Sequence, residues 1–311
     1  MPCRKIALLR RTGIGFSLLE ITVVLAIVGI LGSTVGLLLM RQQRFYRGTS
    51  ELIATRQSVR DAIDVLTTDI RGMSVADTAR LLADSAMEFF STVGSSVVCG
   101  RVAPSEIALP PTSQLGSAVT SFATQPDTGD LVVFYGDSVP ARSRWYKYRI
   151  VAFNRQAAST TCPVSSGFTS DADVAGGAQA YAVFLDAPLT PAVRPGSPVR
   201  FIRRGRYSLY RASDGEWYLG YRRCNAIGPS ACGSVQPLSG PYQSYSPDAR
   251  QSGLVFGYFD RDGADSRSAP LSLARVDVRA RAASRQSLLV EGRRWVPGDS
   301  ALASVAVRNR L

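Results

Sequence analysis

The first long pattern in the chain is an apolar segment from Phe16 to Met40, in which Glu20 is the single charged residue. As a helix this segment is about 37 Å long at 1.5 Å per residue, which is enough to cross a bilayer. The residues before it carry four cations and no acid. Positive charge beside an apolar helix is held on the cytoplasmic side of a membrane. The pattern therefore predicts one membrane helix over residues 16–40.

A second apolar pattern follows at helical spacing, with steps of three, four and seven residues. Its members are Leu52, Val59, Ile63, Leu66, Ile70 and Met73. This is one face of an amphipathic helix. No proline lies between residues 3 and 103, so the membrane helix can continue into a helical stalk over residues 41–90. Two helices broken near Gly48 are the alternative.

The remainder, residues 91–311, is predicted to be a β-rich head, which makes the fold class α+β. Runs of strand-forming residues alternate with turn residues. The predicted strands are 131–135, 145–153, 180–185, 199–210, 216–221, 254–259, 273–279 and 301–307. Asp214-Gly215 between two of them is a hairpin signal, so the sheet is expected to be antiparallel. Segments 103–128, 155–179 and 225–253 are rich in small and turn residues and are predicted to be loops.

Composition narrows the function. Histidine is absent, and no nucleophile elbow, phosphate-binding loop or dinucleotide fingerprint is present. The commonest general base and metal ligand are therefore missing, and we expect no enzyme activity, no cofactor and no metal. The formal charge of +12 is almost all arginine and is scattered along the chain. The sequence therefore does not favour nucleic acid as a partner.

Glu20 separates the possible roles of the apolar segment. A secretory signal has a shorter apolar region and ends in a small-residue cleavage site, which is missing here. A plain membrane anchor explains the length of the segment but not its carboxylate. A charge within a membrane helix is costly and marks a functional residue that needs a partner.

The residues Gly15-Phe16-Ser17-Leu18-Leu19-Glu20, followed by the apolar helix, resemble the prepilin signal of the type IV pilin superfamily. The resemblance implies that a prepilin peptidase removes leader 1–15 after Gly15. It also implies that Phe16 becomes the N-methylated first residue. Glu20 would then form a salt bridge with the N-terminal ammonium of a neighbouring subunit in a fibre. Many major pilins have a proline where this chain has Leu37, with Gly29, Gly32 and Gly36 nearby, and this departure weakens a major-pilin assignment.

A looser resemblance covers the last sixty or so residues. This region is similar to the carboxyl-terminal pattern of PilW-type minor pilins and J-type pseudopilins. The matching segments are Leu254-Val255-Phe256-Gly257-Tyr258-Phe259, an Asp/Gly turn, 273–278 and 305–310. The resemblance implies a subunit that acts in the initiation or at the tip of a type IV pilus, in contact with other pilin subunits. The alternatives are a pseudopilin of type II secretion and, less favoured, a DNA-uptake pilin. Each role implies insertion in the inner membrane with the head in the periplasm.

Four cysteines remain after Cys3 is lost with the leader, and an even number in an exported domain suggests disulfides. Cys224 and Cys232 enclose a short polar loop, which favours a local pair over a metal site. Cys99 with Cys162 is then the second candidate pair, although four cysteines permit three pairings.

The segment Asp260–Asp265 resembles a calcium-binding loop. An EF-hand needs glycine at its sixth position and glutamate at its twelfth, whereas here glycine is fourth and Leu271 is twelfth. A hairpin turn capped by aspartates is therefore the favoured interpretation.

Overall fold

A computed structural model describes residues 17–73, 79, 81–112, 119–137, 144–228, 231–284, 287–290 and 293–307. The chain divides into two compact units, residues 1–52 and 53–311. The first is helical where it is described, and the second holds all of the described strands. The fold is α+β, as the sequence predicts.

Helix α1 spans Leu18–Arg71, so it passes Gly48 without ending there. From residue 53 onward it is amphipathic, and its buried apolar side chains are Val59, Ala62, Leu66 and Ile70. Their spacing of three or four residues places them on one face of the helix. The helix ends at Arg71, and Gly72 N–H then donates to the carbonyl of Thr68 (3.1 Å). The predicted helical stalk over 41–90 is therefore too long.

Two short helices and two 3-10 turns accompany the strands. The helices are α2 (Ala158–Thr161) and α3 (Asp171–Ala175), and the 3-10 turns are Val164–Ser166 and Pro270–Ser272. The strands are β1 (Leu81–Leu82), β2 (Ala86–Val97), β3 (Gly100–Ala103), β4 (Glu106–Leu109), β5 (Ser121–Phe122), β6 (Leu131–Gly136), β7 (Arg144–Ala157), β8 (Gln179–Leu185), β9 (Pro198–Arg211), β10 (Trp217–Arg223), β11 (Gln236–Tyr242), β12 (Leu254–Phe259), β13 (Arg275–Ala283), β14 (Leu288–Val290), β15 (Arg293–Trp295) and β16 (Gly298–Ala306).

Every described strand pair is antiparallel. The largest sheet runs in the order β1-β2-β9-β6-β7-β8-β4-β3, and β10, β11 and β5 extend it off this path. Its longest pairing joins β2 and β9, with a register shift between Thr92 and Gly94. A Cβ at Gly94 would clash with the Phe122 ring and lie 2.9 Å from the Ser121 carbonyl, so glycine at this position allows β5 to pair.

A second sheet has the order β12-β13-β16, and β14 pairs with β15 as a separate ribbon. In β13 the residues alternate between buried and outward positions. The buried ones, Val276, Val278 and Ala280, join a core with Phe256 and Tyr258 of β12 and with the buried face of α1. Residues 53–71 are thereby fixed against both sheets.

A second core lies within the large sheet and is separate from the helix. It joins β4, β6, β8 and β9 through Ile107, Phe134, Val183 and Phe201, all of which are fully buried. The described head therefore has two large apolar clusters, one built on the helix and one formed between strands, besides two smaller ones.

The eight predicted strands correspond to β6, β7, β8, β9, β10, β12, β13 and β16. The Asp214-Gly215 hairpin is confirmed, because Gly215 has φ +86° and Glu216 N–H donates to the Asp214 carboxylate (3.0 Å). The predicted loops are only partly irregular, since β4 and β5 lie in the first, α2 and α3 in the second and β11 in the third.

Candidate functional site

The first part of α1 exposes an apolar surface on every side. Between Leu18 and Met40 all side chains but one are exposed, and Leu18 has 81% of its surface accessible. The described residues contain one helix that is long and apolar enough to cross a membrane. Each Å² of apolar surface left in water costs about 25 cal/mol, whereas lipid removes that cost. The helix is thus consistent with a single-pass membrane protein.

Glu20 lies in the first turn of this helix, where a carboxylate interacts favourably with the helix dipole. Its side chain is exposed, and no described residue forms a hydrogen bond or ion pair with it. The next cation in the sequence is Arg41, about 31 Å further along at 1.5 Å per residue. Any partner for Glu20 therefore comes from the residues before the helix or from another molecule.

The helix also carries three small positions at close spacing. A Cβ added at Gly29, Gly32 or Gly36 would meet no atom within 4 Å, so packing within the chain does not require glycine there. Gly32 and Gly36 are four residues apart, the spacing at which small residues let two membrane helices approach closely. The hydroxyls of Ser33 and Thr34 between them donate to carbonyls of their own helix.

The predicted peptidase cleavage residues, Gly15 and Phe16, lie outside the described residues, as does Cys3. The predicted site is therefore represented in the structure by Glu20 and the helix that follows it.

Both disulfides expected from the sequence are present in the head. Cys99 pairs with Cys162 across 63 residues, and Cys224 pairs with Cys232 across 8. The first bridge ties the end of β2 to the segment after α2. The second closes a loop beside Glu88, whose carboxylate oxygen lies 3.9 Å from the Cys232 sulfur. These three residues form the one group among the described residues with the ligand spacing of a metal site, and both of its sulfurs are used in the disulfide.

Glu88 of β2 is fully buried and is held by two arginines of β9. Arg204 donates to one carboxylate oxygen (2.7 Å) and Arg206 to the other (2.8 Å). Arg204 is itself 3% exposed and also donates to the carbonyls of Asn225 and Gly228 in the disulfide loop. The loop, the carboxylate and both guanidinium groups therefore form one buried network.

Sequence reasoning missed this network. A lone glutamate in the apolar run of β2 was its available signal, because a buried carboxylate requires a cation. From the sequence, the arginines were interpreted only as charge scattered along the chain.

A similar cluster surrounds Asp130, which is 2% exposed. Arg203 donates to it (2.6 Å), and Arg223 donates to both Asp130 (2.9 Å) and Asp127 (2.7 Å). Hydrogen bonding and charge from Arg223 hold the pKa of Asp127 below its usual value. Four arginines of β9 and β10 therefore form internal ion pairs, namely Arg203, Arg204, Arg206 and Arg223.

The Asp260 turn is a closed hairpin. The Asp260 carboxylate accepts from the N–H groups of Asp262 and Ala264, and Gly263 has φ +85°. Asp265 accepts from Arg267 N–H at the end of the turn. Two of the carboxylates thus hold the turn's own backbone, as the favoured interpretation predicts.

The head also has a surface groove of about 460 Å³ beside the disulfide loop. Its lining includes Lys147, Arg149, Asp186 and Ile227, and Arg149 pairs with Asp186 (3.7 Å). The described lining contains no serine, threonine or cysteine to act as a nucleophile. No protein-family model, curated protein or solved structure matches the chain.

Proposed function

We propose that this chain is a minor pilin, a structural subunit that acts in the initiation or at the tip of a type IV pilus. In this role residues 16–40 hold the subunit in the inner membrane and later pack into the fibre. The β-rich head stays in the periplasm until assembly. The observation that carries the proposal is an exposed apolar helix with one carboxylate that no described residue of the chain neutralises.

The carboxylate supports assembly because a membrane charge needs a counter-charge. After cleavage at Gly15, the ammonium of Phe16 in a neighbouring subunit supplies one. In lipid or in a fibre core such a pair is shielded from water, so its attraction is much stronger than at a surface. Recruitment of each new subunit then depends on Glu20.

The two disulfides support the orientation. Disulfides persist in oxidising compartments and are rare in the bacterial cytoplasm. Both bridges lie C-terminal to the apolar helix, and the four cations of residues 1–15 lie on its other side. The positive-inside rule and the disulfides thus independently favour a periplasmic head.

Processing is tested by intact-mass analysis of the protein from cells with and without prepilin peptidase. We expect a chain that begins at methylated Phe16 in the first case and retains the leader in the second. The same mass in both strains, or cleavage after residue 40, would contradict the proposal.

The role of Glu20 is tested by comparing Glu20→Ala and Glu20→Gln with the unchanged chain in sheared-fibre and membrane fractions. Both variants should remain in the membrane, because a charge has left the apolar segment. Both should be processed after Gly15, but should be depleted from fibres because a buried pair loses one partner, at about 3 to 5 kcal/mol. Ser17→Ala, three residues before Glu20, serves as the matched control. Normal incorporation of both Glu20 variants would show that the helix serves only as a membrane anchor.

A pseudopilin of the type II secretion system has the same anatomy and is the second candidate. The C-terminal resemblance covers both families, and in both the apolar helix is the assembly element. Labelling of the head on intact cells separates the two roles. A minor pilin in an extended fibre becomes accessible to an impermeant reagent, whereas a pseudopilin remains in the periplasm.

A further inference from the structure

Most described sheet edges in the head are protected against pairing with other chains. The strands β1 and β5 have two residues each, and β3 has four with an irregular register. The edge strand β11 contains Pro237 and Pro241, and its pairing with β10 shifts register twice. Short strands, prolines and irregular pairing are the usual protections of an exposed edge.

The edge strand β16 lacks all of these protections. Its nine residues pair with β13 without a register shift, from Gly298 opposite Ala283 to Ala306 opposite Arg275. It contains no proline, lysine or arginine, and Asp299 is its one charged residue. A long, regular and nearly uncharged edge is a template for a further strand.

Three hydrogen bonds show which backbone groups of β16 point outward. Val307 N–H donates to Ala274, and the Pro297 carbonyl accepts from Ser284, so the odd-numbered residues face β13. Even-numbered residues alternate with them in an antiparallel ladder and face away. Ser300 N–H accordingly bonds the Asp299 side chain instead of β13 (2.9 Å). The open edge therefore consists of the outward N–H and C=O groups of Leu302, Ser304 and Ala306, to which no described strand pairs.

Among the outward-facing charges of β13, Arg275 and Asp277 pair with each other (3.2 Å), which leaves Arg279 and Arg281 beside this open edge. Arg279 of β13 lies opposite Leu302, and Arg281 lies opposite Ser300, on the outer face of the sheet. Arg281 donates to the carbonyls of Ala249 and Ser252, whereas no described group bonds the Arg279 guanidinium. Partial burial, and then the positive charge of Arg279, lower the pKa of Arg281.

An added strand would lie within reach of Arg279. Adjacent strands are about 4.8 Å apart, so the added backbone would be about 10 Å from β13. Leu302 lies directly opposite Arg279, and the serines at positions 300 and 304 on either side of it leave the long arginine room to extend past Leu302. The surroundings therefore complement carboxylates.

We propose that the open edge of β16 binds an extended acidic segment of another protein, which adds as a further strand and places carboxylates beside Arg279. Backbone hydrogen bonds to Leu302, Ser304 and Ala306 supply affinity, and the arginine selects the partner's charge. This interaction surface is independent of Glu20 and of the proposed role in a pilus. A second copy of this chain fits less well, because its own Arg279 and Arg281 would add like charge to the same face.

The test uses the full-length protein in detergent micelles and a labelled nine-residue peptide that alternates valine with glutamate. The control peptides replace glutamate with lysine or carry N-methyl groups at alternate residues. By fluorescence anisotropy we expect the acidic peptide to bind at least about tenfold more tightly than either control. One lost backbone hydrogen bond of about 1 kcal/mol corresponds to about fivefold in affinity.

Two variants locate the site. Ser304→Pro removes an outward N–H without removing a bond to β13, so it should weaken the acidic peptide about fivefold or more, whereas Ser304→Ala should not. Arg279→Glu should invert the preference between the acidic and basic peptides. Equal binding of the acidic, basic and N-methylated peptides would overturn the proposal. It would also fail if Ser304→Pro abolished self-association while no peptide bound, because the occupant would then be a second copy.

Discussion

Glu20 and Glu88 both stand in apolar sequence, but only Glu88 finds its cations within the described chain. Glu88 is fully buried between Arg204 and Arg206, whereas Glu20 lies on an exposed apolar helix with no bonded partner among the described residues. A carboxylate removed from water requires a positive partner in either setting. The described head thus supplies the counter-charges for Glu88, whereas any partner of Glu20 comes from the residues before the helix or from another molecule.

The largest effect is expected where the head is most self-contained. Glu88→Gln leaves Arg204 buried without its counter-charge, and loss of one partner of a buried pair costs about 3 to 5 kcal/mol. The free energy of unfolding, measured with urea on the detergent-solubilised protein, should fall by that amount. Glu106→Gln in β4 is the matched control and should change it by less than about 0.5 kcal/mol. Equal effects of both substitutions would show that the Glu88 network has no special role.

The disulfides give a graded test of the same head. Chain entropy predicts a loss of about 4 kcal/mol when Cys99 and Cys162 are both replaced by alanine, and about 2.5 kcal/mol for Cys224 and Cys232, because the first closes the longer loop. Unfolding curves of the two double variants should therefore differ in midpoint. A larger loss for the short loop would mean that its disulfide also holds the Arg204 network in place.

Features that repeat with a local period or that close a short loop could be predicted from the sequence. The apolar helix, the eight strands, the Asp214-Gly215 hairpin and the Cys224–Cys232 pair all depend on neighbouring residues. The strand β2 was missed because it is buried on both faces along much of its length, which removes the period-two alternation. The end of α1 was missed because apolar residues continue at similar spacing beyond Arg71.

The ion-pair networks were beyond sequence reasoning for a different reason. Glu88 and Arg204 are 116 residues apart, and only the β2–β9 register brings them together. The candidate site, in contrast, could be predicted from the sequence. Glu20 was identified from sequence alone because its significance depends on an apolar run of neighbours, and the structure then added that no described residue pairs with it.

The apolar part of α1 should respond to substitution in the opposite way to the head. Gly32→Leu places a large side chain where packing within the chain leaves open space, so the free energy of unfolding of the head should stay within about 0.5 kcal/mol. Under the proposed function, incorporation into fibres should nevertheless fall, because close helix contacts tolerate only small residues. Val28→Leu on the same helix is the matched control. Fibre incorporation equal to that of the control would place the Gly32 face away from any neighbouring helix.

The smallest expected effect is a pH dependence at Asp69, at the end of α1. Burial raises the pKa of this carboxyl above 3.8, and a hydrogen bond from the Tyr207 hydroxyl opposes the shift. A carboxyl with a raised folded pKa stabilises the protein most below its unfolded value, and that contribution is lost as pH rises through the folded pKa. Asp69→Asn keeps an acceptor for Tyr207 and does not ionise.

The variant should therefore unfold with a free energy equal to or slightly above that of the unchanged protein at neutral pH, by no more than about 1 kcal/mol. This advantage should shrink as pH falls toward 3.8, where Asp69 becomes protonated in both states. Urea unfolding of both proteins at a series of pH values measures it. Asp61→Asn, on the exposed side of the same helix, should show no such trend. A variant whose deficit grows toward neutral pH would show instead that the ionised carboxylate is stabilised by its bond with Tyr207 more than burial disfavours it.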